Sequence, residues 1–76
     1  MEDEMKPWEE RFVKEETELR ERAGKLRAML EKLSRGELDF EPTCPPQLLW
    51  EQLWVMERYD EILRERAQIE KVPLPD

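Results

Sequence analysis

No histidine occurs anywhere in the chain, one cysteine stands at position 44, and glycine appears only twice. Without histidine there is no Ser-His or Cys-His nucleophilic pair, and the commonest transition-metal ligand is missing. A lone cysteine excludes an intramolecular disulfide. So little glycine leaves no phosphate-cradling loop and no dinucleotide-fold glycine pattern. Long apolar runs are missing too. No stretch reaches the roughly 18 residues of a membrane span, and MEDEMKPWEE has neither the basic flank nor the apolar run of a signal peptide. These absences predict a cytoplasmic protein with no metal, no cofactor and no membrane partner.

What is present is charge. Charged side chains make up 43% of the 76 residues, and 20 acids against 13 bases give a net charge of -7. That balance favours solubility and opposes binding to nucleic acid polymers. The length suits a single domain whose core is marginal by itself. With disulfide and metal staples absent, association with other chains is the remaining way to stabilise the fold.

Periodicity predicts two helices. After an acidic arm, Pro7 suits a first helical turn, and Glu9 and Glu10 suit the positive end of a helix dipole. Trp8, Phe12, Leu19, Ala23, Leu26, Leu30 and Leu33 then recur at helical spacing, with one gap at Glu15 and Glu16. Ser34, Arg35 and Gly36 supply the stop, so the first helix spans about 7–35. The segment GELDFEPTCPP is a Pro-containing loop over about 36–45, with Leu38 and Phe40 expected to cap the open end of the core. Thr43 or Cys44 is placed to cap a second helix over about 46–70, and VPLPD cannot continue it. The predicted fold is all-α, a single domain over 1–76 formed by an antiparallel two-helix hairpin.

The second helix carries more apolar surface than one partner helix can cover. Leu49, Leu53, Met56, Leu63 and Ala67, with Tyr59 at the edge, form one stripe; Leu48, Val55, Ile62 and Ile69 form another at seven-residue spacing. Trp50 and Trp54 add to the surplus. A large exposed apolar patch on a soluble protein marks an interface, so Leu48, Trp50, Trp54, Val55, Ile62 and Ile69 are the expected contact residues of a helical-bundle homo-oligomer.

Pairing the helices around a loop centred near residue 40 sets Phe12 against Ile69, Leu19 against Ile62, and Glu16 near Arg66, giving a salt bridge across the seam. Adjacent Glu15 and Glu16 invite acid-base chemistry, yet among 20 acids such adjacency arises by chance. Residues 20–35 hold six bases against two acids. This zone is either a basic rim for a phosphate-bearing molecule or a solvated face that complements the helix dipole. Cys44, near a helix start, reads as an ordinary loop residue.

WEERFVKEETELRERAGKLRAML followed by LLWEQLWVMERYDEILRER resembles a family of very small tailed-phage proteins related to an open reading frame of crAss-like phage. The likeness is carried by Trp8, Glu10, Arg11, Glu15, Leu19, Lys25, Leu26 and Leu30, then by Leu48, Leu49, Gln52, Leu53, Met56, Tyr59, Ile62, Leu63 and Arg66. The extra tryptophans, the TCPP loop and the arginine-rich middle depart from that pattern. Phage origin implies a small accessory protein of the host bacterial cytoplasm. In shape and size the hairpin also resembles phage sponge proteins, which assemble and sequester cyclic nucleotides or NAD-derived signals of bacterial immunity.

Together these readings predict a non-catalytic anti-defence protein. It self-assembles and holds a nucleotide-like signal through Arg11, Lys14, Gln52, Tyr59 and Arg66, with the arginines clamping phosphate and Tyr59 stacking or hydrogen bonding. The alternative is a helical interaction protein that inhibits a host protein by docking Trp50, Trp54 and Val55 into a groove.

Overall fold

The computed structural model describes residues 5–75; the first four residues of the acidic arm and Asp76 lie outside it. Two helices, α1 (Pro7–Ser34) and α2 (Pro46–Glu70), fold back on each other as an antiparallel hairpin measuring 51 × 19 × 18 Å.

Each helix end has a local cause. Pro7 occupies the first helical position of α1, and the Lys6 N–H donates to Glu9 Oε1 at 2.7 Å, the reciprocal half of a capping box. At the other end Gly36 adopts φ +71°, and the Glu37 N–H reaches the Lys32 carbonyl at 2.9 Å. This is a Schellman stop, which needs a residue tolerant of the left-handed region. The cap of α2 falls on Pro45, not on Thr43 or Cys44. Pro46 at the first helical position forces its predecessor into extended backbone, and Pro45 has ψ 138°. Lys71 closes α2 at φ 59°, where glycine is the usual residue, and the Val72 N–H bonds the Ala67 carbonyl at 2.8 Å.

The core sits in two clusters along the seam. Toward the open end, Phe12 and Leu19 pack with Leu63, Ala67 and Val72; toward the loop, Ala23 and Leu30 pack with Leu53. Burying a leucine completely stabilises by about 1.5–3 kcal/mol, and Leu30, Leu53 and Leu63 are the fully buried leucines. The stripe through Leu53, Leu63 and Ala67 therefore closes the hairpin as the periodicity predicts. The pairings drawn across the seam are corrected: Phe12 and Leu19 meet Leu63 and Ala67, while Ile62 and Ile69 stay 38% and 79% exposed. At about 100° per residue, Ile62 is rotated from Leu63 toward the outer side of α2.

Two further expectations change. Phe40 does not cap the core; it is 55% exposed, beside a shallow hollow it shares with Met29 and Leu49. The tail does more than stop α2. Val72 is buried, Leu74 is half-buried, and the Arg20 guanidinium donates to the Pro75 carbonyl at 2.9 Å, so the tail folds back over the open end of the hairpin. Among the described residues no helix is long and apolar enough to cross a membrane.

Candidate functional site

The seam has two polar flanks, set by which residues precede and follow the buried stripe on each helix. On one flank, Arg11, Glu15, Glu18 and Arg22 follow one another along α1 at steps of four, three and four, the spacing of a single helix face. Together with Lys14 they meet Tyr59 of α2 over a floor formed by Leu19, enclosing a groove of about 370 Å³. The Tyr59 hydroxyl donates to the Glu15 carboxylate and ties the two helices across this groove. That hydrogen bond, with some burial and the nearby negative charge, pushes the phenol above its ordinary value, and Arg66 opposes the shift. Tyr59 is therefore a neutral donor at physiological pH. Arg22 pairs with Glu18 at 3.4 Å, whereas Arg11 and Lys14 make no ion pair among the described residues.

The opposite flank has more acid and its arginines are engaged. Arg27 donates to Glu57 Oε2 through Nε at 3.0 Å and Nη2 at 2.6 Å, which holds its guanidinium more firmly protonated. Arg64 lies 3.2 Å from Asp60 and 3.5 Å from Glu16; Arg20 lies 3.7 Å from Glu16. Glu16 is completely buried. Neither of its carboxylate oxygens, nor Asp60 Oδ1, finds a hydrogen-bond donor among the described residues while both acids are ionised. Burial first, then Asp60, raises the Glu16 pKa; Arg20 and Arg64 pull the other way. A proton on Glu16 supplies the donor that Asp60 Oδ1 lacks, while Oδ2 accepts from Arg64 Nε at 3.2 Å.

This arrangement corrects the expected Glu16–Arg66 bridge. Arg64 takes that place, because Asp60 and Arg64 are a turn apart on the Glu16 side of the stripe while Tyr59 and Arg66 are on the other. Arg66 instead lies over the Phe12 ring, 4.9 Å from its centroid, with Nε 3.3 Å from Glu70.

Of the candidate ligand residues, the fold brings Arg11, Lys14 and Tyr59 to one groove. Arg66 is seven residues, about two helical turns, from Tyr59 on the same side of α2. Gln52 lies nearer the loop, in a separate hollow of about 490 Å³ with Leu48, Val55 and Met56, its amide 3.9 Å from Met56 Sδ. The sequence reading missed Glu15, Glu18 and Arg22 as groove residues, although their step pattern with Arg11 was visible. Of the basic zone at Arg20, Arg22, Lys25, Arg27, Lys32 and Arg35, each arginine faces a carboxylate, while Lys25 and Lys32 make no ion pair among the described residues.

Of the expected contact residues, Leu48, Trp54, Val55, Ile62 and Ile69 are exposed. Trp50 differs: it is half-buried against the Leu30–Leu53 cluster, with its ring 6.2 Å from that of Trp54. Cys44 is a free, exposed thiol. Among the described residues no cluster of three or more Cys, Asp and Glu side chains is placed to hold a metal.

Residues 6–69 match the family model described as Sequestin. The chain belongs to the Sequestin family. No curated protein and no solved structure matches it. The family's name suggests sequestration of a molecule, a binding role rather than a catalytic one, and it fits the likeness to phage immune-signal sponges.

Proposed function

We propose that this Sequestin family member is a phage accessory protein that acts in the host bacterial cytoplasm, self-assembles, and sequesters a phosphate-bearing, nucleotide-like immune signal without altering it. The observation that carries this reading is the convergence of Arg11, Lys14 and Tyr59 on one groove in which both cations are free of ion pairs among the described residues. Arginine and lysine at such a place supply charge-assisted hydrogen bonds to phosphate, and a neutral phenol supplies a donor and a stacking face. The groove is shallow in one copy, which suits a site completed by a second copy. The exposed line of Leu48, Val55, Ile62 and Ile69 supports that assembly.

The test is calorimetric titration with a panel of cyclic dinucleotides and ADP-ribose derivatives, followed by recovery and mass analysis of the ligand. Saturable binding with every bound molecule recovered intact is expected. Failure of the whole panel to bind, or recovery of a cleaved product, overturns the reading.

A second reading rests on Trp54, whose ring is 56% exposed on the side of α2 away from α1. Together with Val55 it offers the anchors of a helix-in-groove contact with a host protein.

A further inference from the structure

The second stripe of α2 is half of a longer pattern. Between Leu48, Val55, Ile62 and Ile69 fall Gln52, Tyr59 and Arg66, themselves seven residues apart. Interleaved at steps of four and three, the two lines make a heptad seam, one line apolar and one polar. Every one of these positions is exposed, because the hairpin closes through a different stripe.

The seam reads the same from either end: apolar, polar, apolar, Tyr59, apolar, polar, apolar. A twofold contact requires this self-complementarity, since each patch must match its own reverse. Antiparallel pairing lays Leu48 on Ile69, Val55 on Ile62 and Gln52 beside Arg66. Parallel pairing would set Arg66 against Arg66, a like-charge contact in a seam.

Tyr59 belongs both to this seam and to the wall of the Arg11 and Lys14 groove. A helix seated on the seam therefore runs along the open rim of that groove. We infer that a second copy packs antiparallel on this seam, with the twofold axis beside Tyr59, so that the partner's α2 walls the anion groove of each copy. This deepens the sequestration reading and rests on its self-assembly. It explains how a shallow groove on a 76-residue chain encloses a ligand, since small-molecule sites cover most of their ligand's surface.

Cysteine cross-linking tests the geometry. In a Cys44→Ser background, Tyr59→Cys is expected to form a disulfide-linked dimer under mild oxidation. Leu48→Cys and Ile69→Cys are expected to link to each other when the two variants are mixed, and not to themselves. All three positions are exposed, so the hairpin keeps its core, which circular dichroism checks. Self-linking of Leu48→Cys means a parallel pair and overturns the proposal. So does a single-chain mass with no cross-link, which leaves the seam to a different protein. Titration of the Cys44→Ser chain, which keeps Tyr59, with the same nucleotide panel separates the two readings. Binding by that chain while its cysteine variants never link keeps the groove and removes the twofold seam; linking by the variants while that chain binds nothing keeps the seam and removes the ligand.

Discussion

The two flanks of the hairpin are built from the same residue types and do opposite things with them. On the Glu16 flank, Arg20, Arg27 and Arg64 are all engaged by Glu16, Glu57 and Asp60, and one carboxylate is fully buried. On the Tyr59 flank, Arg11 and Lys14 have no ion pair among the described residues, and the cross-helix tie is a neutral hydroxyl held by Glu15. Charge that is consumed inside the fold tunes stability and register. Charge left unpaired at a groove is available to a ligand. The difference is one of placement, and it separates a spent charge network from a flank with cations to spare among the described residues, within a molecule 51 Å long.

The sharpest test of that division reverses the free cations. Arg11→Glu with Lys14→Glu is expected to weaken binding of any nucleotide found in the titration by at least about 100-fold, because two charge-assisted hydrogen bonds are replaced by repulsion. The melting temperature should fall by only a few degrees, as neither side chain has an ion pair to lose among the described residues and the new acids repel Glu15 and Glu18 by about 0.2–0.5 kcal/mol each. A large fall in stability with binding intact would erase the distinction between the flanks.

Next in size is the buried acid. Glu16→Met is expected to leave stability unchanged or raise it, since the desolvation of a buried carboxylate offsets what Arg20 and Arg64 return and both arginines left behind are partly exposed. Ligand binding on the other flank should be unchanged. Glu16→Gln gives the matching pH signature. The folded chain raises the Glu16 pKa, so it holds a proton that the unfolded chain releases earlier. The wild-type advantage is then complete below the ordinary glutamate value of about 4.3 and is lost as pH rises through the raised value. Urea denaturation from pH 4 to 8 should show this decline in the wild type relative to Glu16→Gln; parallel profiles would mean that Glu16 is not perturbed.

The smallest effect is expected at Tyr59→Phe. Removing the hydroxyl deletes the tie to Glu15, yet both groups are exposed, so about half a kcal/mol is at stake. Thermal melts should show a shift of a few degrees at most, while calorimetry shows weaker nucleotide binding. Loss of several kcal/mol would make this flank a structural network as well.

How far the chain explains itself can be judged from particular residues. Pro7, Gly36 and the paired prolines at 45 and 46 announce where helices start and stop, because their backbone preferences are local. The heptad line through Leu48, Val55, Ile62 and Ile69 announces surplus surface for the same reason: periodicity depends on one helix alone. The gap at Glu16 announced a polar group in the seam. Its partner was misassigned, since Arg64 and Arg66 sit at nearly the same height on α2 and differ mainly in direction. Distance along the chain fixes height, while the rotational setting of the helices fixes direction. The return of Val72 and Leu74 onto the core had no periodic signal at all.

Composition and spacing by themselves determined a hairpin of two amphipathic helices, without the residues for histidine chemistry, and with one helix too apolar for a single partner. Only the tertiary structure decided which acids and bases meet and which stay free, because that choice turns on how each helix is rotated about its own axis when the leucine stripes lock together. A fraction of a turn sends Arg64 to Glu16 and leaves Arg11 and Lys14 open to solvent beside Tyr59.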